Sequence, residues 1–440
     1  MPDFLAGFLG RFPLWVEDLI IAVALLLPAL ILGAVILRGF AVGPLLLALL
    51  RRQRWVSAVF TALIAISVAL GVGIIAQERG LREGSARAAD PFDLIVAAPG
   101  SEITAMLAAV YLQPSSLPLI DGETYAEIAD HPRAELVAPI GFGDSWQGAP
   151  VVGSTPAFVR HLAGDLAAGR VFTSRDEAVA GARVDIAVGE SFSPEHGRGD
   201  AVEEDTHGDF AYEVVGRMPL TGSPWDRALI TPVESVWWLH AIGTGHGPGW
   251  DGTPGPPYPA EHFPGTPAAL VIADSLAGTY VMQATFNTDR TMAFFPGTVL
   301  SQLHALMGDV RQVMSILAVI TQVLVTAGVL AGLMMLTRLL ARRLALLRAL
   351  GAPRRFVFAV TWSFAATLIA AGAALGVALG VGATALISRI ITARTDILVS
   401  ATLSWPELQL VAGFISLTAM LALLPAWLTM KRPVISDLRG

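Results

Sequence analysis

The chain of 440 residues is 54% hydrophobic and only 15% charged, with a mean hydropathy of +0.62; soluble domains carry about 25% charged residues. That composition excludes a disordered chain, a nucleic-acid binder and an ordinary soluble enzyme. The net charge of −7 conceals two opposed parts: residues 76–309 hold 30 of the 36 acids but 12 of the 29 Lys and Arg, and the remainder is basic and apolar.

A helix rises about 1.5 Å per residue, so about 20 apolar residues cross a hydrocarbon core about 30 Å thick. An amino-terminal segment, 1–18, precedes the first such run, Leu19–Leu37. Asp3, Glu17 and Asp18 outnumber Arg11 before it, and no small-x-small cleavage site follows. It therefore reads as a retained span rather than a signal peptide. Segment 38–54 carries Arg38, Arg51, Arg52 and Arg54 and no acid, and the second span is Trp55–Ala76. Residues 77–311 are predicted to form a large α+β domain. Strand-like runs fall at Asp93–Ala98, Glu135–Ile140, Pro150–Val152, Val184–Val188, Tyr212–Val215, Ala228–Ile230 and Ala268–Ile272, with helical patterns at 103–111, 122–129 and 156–166. Two loops interrupt them, the acidic stretch 195–209 and the Pro- and Gly-rich stretch 247–267.

The remaining apolar runs are Gln312–Thr337, Phe356–Ser388 and Leu408–Met430. Between them lie a basic segment, 338–355, and a short loop, 389–407; a basic tail, 431–440, ends the chain. If five spans alternate, all three basic segments share one side. The excess of Arg makes that side the cytoplasm, leaving the amino terminus and 77–311 outside. The fold class is thus an α-helical membrane domain with a large extracytoplasmic α+β domain.

The only lysine is Lys431, so a phosphate-binding GxxxxGK[ST] loop is impossible, and no HExxH, GxSxG or dinucleotide fingerprint occurs. An enzyme with its own hydrolytic centre is not expected, and any energy source belongs to another polypeptide. All eight histidines lie between 131 and 304. His240, His246 and His262 bracket the Pro-rich loop beside Asp251 and Glu261, a donor set suited to zinc, although the spacing matches no ligand pattern. His196 and His207 stand in the acidic loop, where solvated carboxylates are the plainer reading. Trp237, Trp238, Trp250 and Tyr258 are either core or a surface for an acyl chain or partner.

Gly372, Gly376 and Gly380 repeat at four-residue spacing, which lets another helix backbone approach closely, within the chain or across a dimer. In 338–350, Leu339, Leu340, Leu344, Leu346, Leu347 and Leu350 share a broad face, with Arg338, Arg342 and Arg348 opposite and Arg343 inside the apolar sector. Such a basic amphipathic helix lies on anionic lipid or docks into a partner's groove. Gly351 supplies its stop and Pro353 precedes the next span.

The stretch Arg342-Arg343-Leu344-Ala345-Leu346-Leu347-Arg348-Ala349-Leu350-Gly351-Ala352 resembles the signature of FtsX/MacB-type permeases, the type VII ABC transporters. The layout of a span, a large outer domain and three further spans is similar over about residues 44–440, and Arg51–Glu83 is similar to the first-span region. Three features depart from the family pattern: Arg343 where Glu is usual, the additional span Leu19–Leu37, and no fused ATPase. The resemblance implies a dimer of this chain or of related permeases in the bacterial inner membrane, above separate ATP-binding-cassette subunits that carry the ATP and Mg. It makes Arg338–Gly351 the ATPase-coupling helix. It further implies mechanotransmission, in which ATP-driven motion does work on a periplasmic partner or a lipid-linked substrate. Signalling without transport and zinc handling are the alternatives.

Overall fold

The computed structural model describes residues 13–113, 115–196, 210–306, 308–395, 399 and 402–431. His207 with most of the acidic loop, and the tail after Lys431, lie outside them, as do the side chains of His196 and of 336–344. The helices are α1 (Leu14–Leu37), α2 (Gly43–Arg52), α3 (Arg54–Ala89), α4 (Glu102–Ala109), α5 (Gly122–Ala129), α6 (Pro156–Ala163) and α7 (Val233–Leu239). They continue with α8 (Leu276–Phe286), α9 (Pro296–Leu306), α10 (Gly308–Ala349), α11 (Arg354–Thr395), α12 (Trp405–Leu421) and α13 (Leu423–Lys431). The chain divides into two compact units, one formed by 1–80, 309–389 and 400–440, the other by 81–308 with 390–399.

The first unit is helical. Among the described residues four stretches are long and apolar enough to cross a membrane, Leu14–Leu37, Arg54–Ala89, Arg354–Thr392 and Trp405–Leu428, and α10 adds the shorter apolar stretch Val319–Gly332. This is a membrane protein. Its helices run past the apolar limits read from sequence because nothing breaks them. α3 continues through Ala89, and α10 continues through the basic amphipathic stretch to Ala349 without interruption. Arg, Leu and Ala are all good helix formers, and the first breaker is Gly351. At Gly351 φ is +99°, and the Ala352 N–H reaches back to the Leu347 carbonyl at 3.0 Å, a left-handed helix stop. The segment 38–54 is not simply a loop, since α2 begins with Pro44 in its first turn and ends on Arg51 and Arg52. Its Leu46, Leu49 and Leu50 pack on the buried core of this unit. The last apolar run is two helices, because Pro425 in the first turn of α13 has no N–H to continue the ladder of α12.

Several polar side chains inside this unit pair across helices, which a non-aqueous setting favours. Ser67 of α3 donates to Gln322 of α10 at 2.8 Å, and the Trp362 indole of α11 donates to the Ala419 carbonyl of α12 at 3.0 Å. The additional helix α1 lies along α12. The Gln409 amide donates to Asp18 at 2.9 Å, and the Ser416 hydroxyl donates to the Leu25 carbonyl. Equal offsets in the two contacts make α1 and α12 parallel.

The second unit is α+β with two sheets. Its strands are β1 (Leu94–Ala97), β2 (Ala134–Pro139), β3 (Gly141–Trp146), β4 (Ala149–Ser154), β5 (Ala168–Gly169) and β6 (Glu177–Ala180). Then come β7 (Ser191–Phe192), β8 (Glu195–His196), β9 (Tyr212–Arg217), β10 (Leu229–Pro232), β11 (Ala268–Ala273) and β12 (Met292–Phe294). One sheet is antiparallel in the order β12-β1-β11-β2. The other runs β5-β9-β6-β10-β4-β3-β8, with β7 beside β9 and parallel pairs β10/β4 and β6/β9. Alternation along the strands divides the cores. Ile95, Ala97 and Leu270 from the first sheet join Val152, Val179 and Ile230 from the second in one cluster around the fully buried Trp225. Leu94, Val96 and Val271 face the opposite way, onto Tyr125, Ile128 and Met282.

The run 184–188 is not a strand, and Glu177–Ala180 takes the sheet position instead. The cause is Arg217, whose guanidinium donates to the carbonyls of Gly181, Ala182, Val184 and Ile186 and wraps that segment around itself. Nearby, Arg170 forks onto Glu177 at 2.7 and 2.5 Å, and the Thr173 N–H adds a bond at 2.7 Å. These bonds, the Arg170 pair first, hold the Glu177 carboxyl down at about 2, against an ordinary value near 4.5. A depressed carboxyl stabilises the fold fully above the ordinary value and loses that contribution as the pH falls toward 2. Glu177→Gln should therefore lower the melting temperature at neutral pH and flatten its fall on acidification, measured by thermal unfolding of the full chain in detergent.

Candidate functional site

Two features of the helical unit carry the functional argument. The first is a seam between α3 and α11. A methyl group built on Gly372 would stand 2.6 Å from the Ile64 Cβ, one on Gly376 2.6 Å from the Val68 Cβ and 2.7 Å from the Ala65 carbonyl, and one on Gly380 3.0 Å from Val72. Ile64, Val68 and Val72 are completely buried. The three glycines thus form a close backbone approach within the chain, at distances that leave no room for a side chain. Residue numbers rise together along the seam, so α3 and α11 are parallel. Their starts, with Arg54 on one and Arg354 and Arg355 on the other, lie at the same end. Gly332 of α10 adds a second approach, where a Cβ would run into the Phe60 ring of α3.

The second feature is the end of α10. The sequence grouped its leucines on one face, but the packing separates them: Ala345 is buried, Leu347 packs on the core, and Leu346 and Leu350 project at 50% and 85% exposure. Leu346 and Leu350 are one helical turn apart and so form an exposed apolar stripe beside the Gly351 stop. For Arg338, Leu339, Arg342 and Arg343 the structure describes the helical backbone alone; Arg348, half-buried, follows them.

Residues 312–434, which contain the α11 side of the seam and the end of α10, match the family described as FtsX-like permease C-terminal. The helical carboxyl-terminal part is an FtsX-like permease domain. That match supports an FtsX/MacB-type ABC permease, the membrane subunit of an ABC-type transporter. Such permeases are generally not enzymes and act with an ABC ATPase on a separate subunit. No curated protein matches the chain.

His240, His246 and His262 do not come together as the metal set that their residue types suggested. His240 Nε2 lies 3.7 Å from Asp144, His246 Nε2 3.3 Å from Glu234, and His262 Nε2 3.5 Å from Glu261. Each meets a different carboxylate, and among the described residues no three His, Asp or Glu come together to hold an ion. Glu234 serves another purpose. Buried at the start of α7, it accepts hydrogen bonds from the Gly255 N–H at 2.6 Å and the Tyr258 hydroxyl at 2.9 Å, tying down the Pro-rich loop. Burial, then the Glu234 charge, pushes the Tyr258 hydroxyl well above its usual value. Trp237 and Tyr258 belong to the core, Trp250 stacks on His246 at 4.5 Å, and Trp238 lies on the surface beneath Arg175.

Sequence reasoning missed one pair in the permease's helical unit. Arg79 of α3 bonds Glu407 at 2.5 Å, and Glu407 is fully buried at the first turn of α12, where it also closes a capping box with Ser404. The signal was present: Glu407 immediately precedes the last apolar run, where an unmatched carboxylate is costly.

The seam can be tested by substitution with an internal control. Gly376→Ala drives a methyl into the Ala65 backbone and Val68, an overpacking expected to cost about 1–3 kcal/mol. Gly382→Ala, with open space around it, should be neutral or stabilising by up to about 1 kcal/mol. Thermal or denaturant unfolding of the two purified variants makes the comparison.

Proposed function

We propose that this permease works as one half of a dimer with an ATP-binding-cassette subunit docked at the exposed end of α10. ATP and Mg are held by that subunit, and its motion is transmitted along the helices to the α+β unit. The membrane is the bacterial inner membrane. The Arg-rich ends face the cytoplasm and the α+β unit faces the periplasm, with spans at 19–37, 55–76, 312–337, 356–388 and 408–430. Work is done on a lipid-linked or amphiphilic substrate on the outer side. The partner there is the substrate itself, a second copy or related permease, or a periplasmic protein.

The observation that carries this reading is the stripe of Leu346 and Leu350 on a helix that runs without a break from Gly308 to Ala349. Exposed leucines beside arginines on a helix end suit a groove on a partner protein. An unbroken helix converts a push at one end into displacement along its length. The parallel run of α3 and α11 supports a common side for their basic starts, as the excess of positive residues requires.

Leu346→Asp with Leu350→Asp should leave the permease folded, since both side chains are exposed, and abolish co-purification of an ABC ATPase from native membrane. Mass spectrometry of the two preparations reads the difference. A folded wild-type preparation free of any ATPase would overturn the reading.

A further inference from the structure

On the side of the α3–α11 pair nearer their starts, a groove of about 450 Å³ opens on the surface of the helical unit. That volume lies within the range of small-ligand sites, about 300–1,000 Å³. Its walls are apolar and small, with Ala58 of α3 and Leu368, Ala371 and Leu375 of α11, and Arg54 stands at its end. Ser57 also lines it. Ser57 is 8% exposed, and its hydroxyl has no hydrogen-bond partner among the described residues, although its N–H is satisfied by the Gln53 carbonyl. A buried hydroxyl without a partner is an unmet donor, costly unless an acceptor comes to it.

We propose that this groove binds one anionic phospholipid. The phosphate sits against Arg54 and accepts a hydrogen bond from Ser57 once that side chain turns its sealed hydroxyl toward the groove, and an acyl chain lies along Ala58, Ala371 and Leu375. Charge selects this occupant. Segment 38–54 has four Arg and no acid, so a second copy meeting the groove about a two-fold axis would bring like charges together. A free anion would leave the apolar walls bare, and a neutral lipid would bring Arg54 no net counter-charge. The inference needs only that the helices cross a membrane, and stands apart from the docked ATPase.

The test uses the full chain in phosphatidylcholine nanodiscs containing a trace of phosphatidylglycerol with a photoactivatable acyl chain, followed by peptide mapping. Adducts should concentrate on 50–62 and 367–375, in preference to those from the corresponding phosphatidylcholine probe. Arg54→Gln, at an exposed position, should reduce that preference about fivefold. Ala371→Trp should fill the groove and remove the adducts. Arg54→Gln keeps the test decisive if the bulkier variant fails to fold. Equal labelling by both probes, adducts spread over the outer faces of α1 and α12, or cross-links between two permease copies at the groove would each overturn the proposal.

Discussion

The helical unit depends on one close approach, the seam where Gly372, Gly376 and Gly380 of α11 meet Ile64, Val68 and Val72 of α3. In lipid the apolar faces of two helices gain little by meeting each other rather than acyl chains, so association rests on dispersion contacts made at short range. Glycine removes the side chain that would hold the backbones apart, and the β-branched residues opposite fill the space it leaves. Because the contact repeats every four residues on both helices, it fixes not only their distance but their direction. Parallel α3 and α11 then place Arg54 and Arg354 at one end, and the Arg79–Glu407 pair ties the far part of α3 to the start of α12. The distribution of positive charge along the sequence is thus supported by packing as well as by hydropathy.

Around that seam polar bonds join the other helices. Ser67 with Gln322, Trp362 with the Ala419 carbonyl, and Gln409 with Asp18 each join a different helix pair. Their physical role follows from the solvent: a hydroxyl or amide facing lipid has no water to turn to, so its partner must be protein. Such bonds add modest stability, but they define register, which apolar packing alone leaves loose. The additional helix α1 is held in this way, and Gly33 brings it to 3.3 Å of the Trp362 ring when a Cβ is built there. It is therefore a packed member of the unit rather than a loose anchor.

What the sequence could reveal follows the range of the forces involved. Apolar run lengths, the Gly repeat and the Gly351 stop are local properties, and the helices, the seam and the end of α10 were legible from them. Which partner met the glycines was not, because both an intrachain and an interchain contact satisfy the same spacing. Two expectations that the structure does not meet and one omission share a cause in long-range pairing. The stretch 184–188 has a strand's composition, yet Arg217, which is far along the chain, takes its carbonyls. His240, His246 and His262 are close in number but are drawn to separate carboxylates. Glu407 looks like a boundary residue until Arg79 is found beside it.

The same contrast explains why the exposed end of α10 and the acidic α+β unit read so differently. In the α+β unit several arginines are paired: Arg217 gathers four carbonyls, Arg170 forks onto Glu177 from the surface, and the exposed Arg133 and Arg290 pair with Asp274 and Glu127. Residues 76–309 hold 30 acids against 12 Lys and Arg, so surplus carboxylates set the field, and a surface of net negative charge repels anions at distances up to the Debye length, about 8 Å in physiological salt. At the membrane ends the balance is reversed, since Arg51, Arg52 and Arg54 project with no acid near them in sequence. Anionic groups are therefore favoured at the Arg-rich ends of the helices and disfavoured around the α+β unit.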